Sequence, residues 1–155
     1  MTTMQQLSVI HSTFVIERSY PTAPERVFAA FADPAKKRRW FAPDPGTKTE
    51  EFEMDFRGGG KERKRFAVNA GMACTSETIY QDILANRRIV FAYTMAAGDQ
   101  RISSSQGTVE FFPTEKGTDL IFTEQGAFFE GADGPEIREK GWRHLFEQVA
   151  IELGR

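Results

Sequence analysis

Apolar and polar positions along this chain change period several times, and each change marks an element. Residues 1 to 10 carry no clear pattern and read as a loose terminus. Thr13 to Tyr20 alternates, with Phe14 and Ile16 set against Glu17, which predicts a strand. Pro21 to Pro24 ends it. Thr22 is placed to cap a helix that has Pro24 in its first turn and Glu25 three residues on, and Val27, Phe28 and Phe31 form the apolar face of that helix. Asp33-Pro34 stops it and opens a second short helix carrying Lys36, Lys37, Arg38, Arg39 and Trp40. Ala42 to Gly46 reads as a loop. From about Thr49 the period becomes two, as Phe52, Met54 and Phe56 alternate with Glu53, Asp55 and Arg57. Gly58-Gly59-Gly60 makes a turn or bulge. Strands follow over Lys61 to Asn69, Met72 to Leu84, Ile89 to Met95 and Arg101 to Phe112. A last one holds Leu120, Phe122 and Glu124 on one parity. Gly126 to Gly134 reads as a glycine-rich loop.

The final helix, Pro135 to Leu153, is the only long helical pattern. Trp142, Leu145, Phe146, Val149 and Leu153 form a stripe at helical spacing. Its first turns offer only Ile137 and the side-chain-free Gly141 among Glu136, Arg138, Glu139 and Lys140. One half of the helix can therefore plug a core, while Ile137 to Gly141 can only roof a space. The order is one strand, two helices, six strands and one long helix. Short connections make the six strands sequential antiparallel neighbours. A curved sheet of that size must bury one face, and only the last helix is long enough to cover it. The expected class is α+β, one domain over residues 1–155, with a cavity between sheet and helix.

Several local strings agree with this layout. They are Ala23-Pro24-Glu25-Arg26-Val27-Phe28, Asp33-Pro34, Arg39-Trp40-Phe41, Asp55-Phe56-Arg57 with its glycine triplet, Tyr80-Gln81-Asp82-Ile83, Arg88-Ile89-Val90-Phe91-Ala92-Tyr93, Gly117-Thr118 and Thr123-Glu124-Gln125-Gly126-Ala127-Phe128. Over residues 13 to 153 they resemble the START-like (Bet v 1-like, SRPBCC) superfamily. The branch they resemble holds proteins like the activator of Hsp90 ATPase and the calicheamicin self-sacrifice resistance protein. The resemblance implies a helix-grip fold, in which a bent antiparallel sheet of about seven strands wraps a long C-terminal helix around an apolar cavity. It carries no single function, because binders, cyclases and co-chaperone-like domains share this fold. The chain departs from the pattern on the strand after the glycine triplet. There the parity of Phe66 and Val68, which usually points apolar groups inward, also carries Glu62 and Lys64.

Composition narrows the reading. The chain has 155 residues and a net charge of −2, which argues against nucleic acid as a general partner. A domain of this size buries roughly 70% of its unfolded surface and needs no staple. The single cysteine, Cys74, excludes an intramolecular disulfide and a cysteine metal cluster, which fits a reducing cytoplasm. No basic segment followed by an apolar run is present, so neither a signal peptide nor a membrane span is expected. Fourteen phenylalanines must fill a core or line a pocket.

No catalytic or metal-binding constellation stands out. His11 and His144 are far apart in sequence, and His144 sits one position off the helical stripe, where solvent is expected. Cys74 has no neighbour that would lower its pKa. Gly58-Gly59-Gly60-Lys61 lacks the spacing of a phosphate loop. Lys36 to Arg39 reads as a solvated basic face. The candidates are cavity groups. Glu124 shares parity with Leu120 and Phe122, and Glu62 and Lys64 approach the same interior, where they would shift each other's pKa. Trp40, Phe56, Phe91, Tyr93, Phe122 and Trp142 are candidate wall residues, and Tyr93 can add a hydrogen bond. The expected function is binding of a small hydrophobic or polyketide-like ligand without a cofactor. The alternatives are a cyclase- or hydrolase-type enzyme using Glu124 as general base with Lys64 or Tyr93 as partner, and an Hsp90-activator-like interaction module. A homodimer through a sheet edge or helix face stays open.

Overall fold

The computed structural model describes residues 8–42, 48–67, 72–130 and 134–155. The loop expected over Ala42 to Gly46 and the strand end at Val68 and Asn69 fall largely outside them. The elements are β1 (Val9–Tyr20), α1 (Pro24–Ala32), α2 (Pro34–Phe41), β2 (Lys48–Met54), β3 (Lys61–Ala67), β4 (Ala73–Leu84), β5 (Arg88–Ala97), β6 (Gln100–Thr114), β7 (Gly117–Phe129) and α3 (Gly134–Leu153). The seven strands form one antiparallel sheet in the order β1-β7-β6-β5-β4-β3-β2. Strands β2 to β7 are thus sequential neighbours, as the short turns require, and β1 returns to the far edge beside β7. This is the α+β helix-grip arrangement that the element order implied.

Several of the expected boundaries move, β2 ending at Met54 before Phe56 among them, and one expected cap does not form. β1 begins at Val9 rather than Thr13, because the ladder to β7 runs from Val9↔Phe129 to Tyr20↔Thr118. Its outer end buries nothing fully, with Ile10, His11 and Thr13 exposed and Val9 and Ser12 half-buried, so hydropathy alone hides it. β7 continues through Gly126 to Phe129 where a glycine-rich loop was expected. Gly126 is paired with both Ser12 and Ser105, and a Cβ there would lie 2.7 Å from the Ser105 Oγ and 2.8 Å from the Phe128 ring. The glycine marks close packing inside a strand, not a turn. Thr22 does not cap α1. Ala23 is the N-cap and gives no side-chain bond, while the Thr22 carbonyl accepts from the Thr118 hydroxyl at 2.6 Å. Asp33 does cap α2, accepting from the amides of Ala35 and Lys36.

The sheet bends around α3. Register shifts at Thr49/Glu51, Tyr80/Asp82 and Met95/Ala96 supply local twist. The inner face packs Ile16, Val109, Phe111, Leu120 and Phe122 against α1 and α3. The ring centroids of Phe122 and Trp142 are 4.6 Å apart, and those of Phe31 and Trp40 are 4.9 Å apart. The helices are fixed by polar ties as well. The Tyr20 hydroxyl donates to the Phe146 carbonyl at 2.8 Å, and Arg39 makes a two-pronged pair with Glu152 at 2.9 and 2.6 Å, joining α2 to α3. The outer face of β3 is charged, with Arg63 bridging Glu51 and Glu77.

Along α3, Trp142, Phe146 and Val149 are buried, and Leu145 and Leu153 pack against them. The N-terminal half differs from expectation. Ile137 is 61% exposed, and Arg138, at 6%, is the side chain that turns inward.

Candidate functional site

Between the inner face of β3–β5, helix α2 and the first half of α3 lies a cavity of about 320 Å³. Its walls are apolar, made by Trp40, Phe56, Ile89, Phe91, Val109 and Trp142 among others. The exposed lining residues are Gly141 and His144 of α3, with Phe56, Lys64, Phe66, Met95 and Leu145 half-buried. A Cβ on Gly141 would meet nothing within 4 Å, so this glycine leaves open space at the rim. His144 lies exposed, as its place off the stripe implied.

Two polar clusters are set into the inner face. The first stands where β3 and β4 meet α2. Glu62 is 3% exposed, and one of its oxygens accepts from Lys37 Nζ at 2.6 Å and from the Tyr80 hydroxyl at 2.5 Å. The strand pleat turns Glu62, Lys64 and Phe66 to the same side, and register puts Thr78 opposite Glu62 and Ser76 opposite Lys64. All of these line the cavity. Lys64 Nζ donates to the Phe41 carbonyl at 2.5 Å and lies 4.1 Å from the centre of the Phe41 ring, with Lys37 Nζ 4.6 Å from that same ring. Removal from water pushes the Lys64 ammonium down to about 8; the nearby Lys37 charge adds to this, and Glu62 opposes both. Burial likewise drives the Tyr80 phenol upward, and the Glu62 carboxylate beside it adds to that. The basic face expected over Lys36 to Arg39 is therefore not wholly solvated. Lys37 is 9% exposed and reaches inward to Glu62.

The second cluster sits under the N-terminal half of α3. The Tyr93 hydroxyl donates to the Glu124 carboxylate, at 2.7 and 2.9 Å from its two oxygens. The same hydroxyl accepts from Arg138 at 3.0 Å and from the Trp142 indole at 3.2 Å. Arg138 also donates to Ser103 at 2.8 Å and stands 3.7 Å from Glu124. Glu124 is fully buried; desolvation raises its pKa above the usual carboxylate value, and the Tyr93 bond and the Arg138 charge oppose that. Burial also raises the Tyr93 phenol.

Of the nine residues the sequence singled out, Trp40, Phe56, Glu62, Lys64, Phe91, Tyr93 and Trp142 line this one cavity. Phe122 and Glu124 do not. Phe122 is packed beneath Trp142 and Phe91, and Glu124 lies behind the Tyr93 hydroxyl. The sequence reading missed Lys37, Phe41, Tyr80 and Arg138. Arg138 had a signal, since it precedes Trp142 by one helical turn on the same stripe. Among the described residues no group of three His, Cys, Asp or Glu is placed to hold a metal ion.

The family model described as activator of Hsp90 ATPase homolog 1-like protein matches residues 21–154. The chain belongs to this family. No protein of curated function matches it significantly. Among solved structures, it is similar to the Mll3558 protein of Rhizobium loti, at 51% identity over 94% of this chain and 99% of that one, with a TM-score of 0.88. It is similar to an uncharacterized protein from Rhizobium leguminosarum, at 38% identity over 96% and 97% of the two chains, with a TM-score of 0.91. The AHSA1-like protein of Aeromonas hydrophila, at 20% identity over 92% of each chain and a TM-score of 0.70, shares the fold.

Proposed function

We propose that this member of the AHSA1-like family binds a small, mostly apolar molecule in the cavity beneath α3. The observation that carries the reading is an apolar space of about 320 Å³ with a polar corner and solvent-reached residues at one side. An engineered apolar cavity of about 150 Å³ accepts benzene, so the space suits a molecule of roughly two fused rings or a similar alkyl body. Seven of the nine candidate residues would contact it: Trp40, Phe56, Phe91 and Trp142 as walls, and Glu62, Lys64 and Tyr93 as polar groups. The lone thiol, Cys74, is compatible with a cytoplasmic setting, and no helix among the described residues is long and apolar enough to cross a membrane.

The two other readings have less support. A general base must reach the proton it abstracts, whereas Glu124 does not line the cavity and Tyr93 stands in front of it. An interaction module like the one in the family's name calls for a contiguous exposed apolar patch. Among the described residues the large exposed apolar side chains are instead spread over β1, β4 and the residue before it, β6 and α3.

The test is titration with the neutral fluorophore N-phenyl-1-naphthylamine. Saturable one-to-one enhancement is expected, and Met95→Trp, which adds bulk to a half-buried cavity wall, is expected to weaken it at least tenfold. Absence of saturation, or an unchanged affinity in Met95→Trp, overturns the reading.

A further inference from the structure

The charges around the cavity do not cancel. At the corner where β3 and β4 meet α2 there are two ammonium groups, Lys37 and Lys64, and one carboxylate, Glu62. Glu62 is taken by Lys37 and by the Tyr80 hydroxyl. Lys64 pairs with no carboxylate among the described residues, and its hydrogen bond goes to a neutral carbonyl, that of Phe41. An ammonium carries three N–H donors, so two remain for whatever enters. Beside it, Ser76 and Thr78 also line the cavity, at 4% and 6% exposure. In the second cluster the cation is already engaged: Arg138 donates to Tyr93 and Ser103 and has Glu124 3.7 Å away.

A half-buried cation without an ion-pair partner is costly in an apolar surround. The low pKa of Lys64 expresses that cost, since burial alone favours the neutral amine. An anion placed against it would restore the charged form and make a short, charge-assisted hydrogen bond.

Resting on the cavity-binding reading above, we propose that the cavity selects monoanionic amphiphiles, an apolar ring or alkyl body bearing one carboxylate, with Lys64 as the anchor and Ser76 and Thr78 as neighbouring donors. The apolar body fills the space lined by Phe91, Ile89, Val109 and Trp142, and the single negative charge completes the balance at the Lys64 corner. A neutral molecule of the same shape leaves that ammonium unpaired. A dianion exceeds what one uncompensated lysine offsets.

The probes are 2-naphthoate and its methyl ester, which share a body and differ by the charge. Calorimetric titration at pH 7 is expected to give the acid at least tenfold tighter binding than the ester. Lys64→Met is expected to bring that ratio near one, and Lys64→Arg to preserve it. Equal affinities in the wild type, or a ratio that survives Lys64→Met, overturn the anion assignment and leave the cavity reading standing. If neither probe binds, the anion assignment is overturned, and the N-phenyl-1-naphthylamine titration decides the cavity reading separately.

Discussion

Lys37 and Glu62, 25 residues apart in sequence, meet at 2.6 Å inside the protein, so the second short helix is bolted to the third strand by an ion pair with side-chain exposures of 11% and 2%. Breaking a buried pair by removing one member costs about 3–5 kcal/mol, because the remaining charge stays buried. Lys37→Met is expected to lose about 3 kcal/mol, the lower figure because the Tyr80 hydroxyl still serves Glu62. The double variant Lys37→Met, Glu62→Met is expected to recover most of that loss. Urea denaturation of the four proteins in the cycle decides it, and a double variant no more stable than the single would refute the pairing.

Glu124 makes the fold sensitive to pH. Its carboxyl is held above the ordinary value by burial, so the native state binds its proton more tightly than the unfolded chain does. That contribution is fully present below the unfolded pKa, near 4.5, and is lost as pH rises through the higher folded pKa. Glu124→Gln removes the titration. The stability of the wild type relative to Glu124→Gln is expected to fall as pH climbs from about 4.5, as followed by denaturant midpoints at each pH. Parallel curves would count against it.

Lys64 should set a pH limit on carboxylate binding. The groups around the cavity are Lys37 from α2, Glu62 on its own strand, Tyr80 from β4, Tyr93 from β5, and Arg138 and His144 from α3. With the Lys64 ammonium titrating at about 8 in the empty protein, affinity for 2-naphthoate is expected to hold below that pH and fall up to tenfold per unit above it. In Lys64→Arg, whose guanidinium keeps its charge throughout, the fall is expected to vanish. A fall that persists in the arginine variant would assign it to another group.

Gly141 trades stability for access. A mid-helix glycine costs about 1 kcal/mol relative to alanine, and a methyl group here would touch nothing within 4 Å. Gly141→Ala is expected to raise stability by about 0.5–1 kcal/mol. Gly141→Phe, which sets a ring at the rim, is expected to slow entry of N-phenyl-1-naphthylamine in stopped-flow mixing. Uptake as fast as in the wild type would place the entrance elsewhere.

The parts of the site legible in the sequence are those that obey a period. Strand parity turns Phe91 and Tyr93, and Glu62 and Lys64, to one side whatever their polarity. The helical stripe did the same for Trp142. Lys37 and Arg138 escaped because charged side chains on helices are normally solvated, and their burial depends on partners, Glu62 and Tyr93, supplied by distant strands. Parity also could not separate a wall from the layer behind it. Glu124 points inward as expected, but the Tyr93 ring from a different strand occupies the space between it and the cavity. The extent of β7 past Gly126 was obscured because the glycine that suggests a turn is required by the Phe128 ring.

The placement of β1 beside β7 has a kinetic consequence. Tyr20 reaches Phe146 across 126 residues, and Thr118 reaches Thr22 across 96. Nothing local can form either bond, so the chain must close a loop of most of its length before its first strand is paired. Topologies dominated by such distant pairings fold in milliseconds to seconds rather than microseconds. The binding chamber draws on α1, α2, β3 to β6 and α3, and α3 follows the last strand. Its appearance in a refolding experiment should therefore coincide with the slow closing step, which makes ligand capture a clock for the completion of the fold.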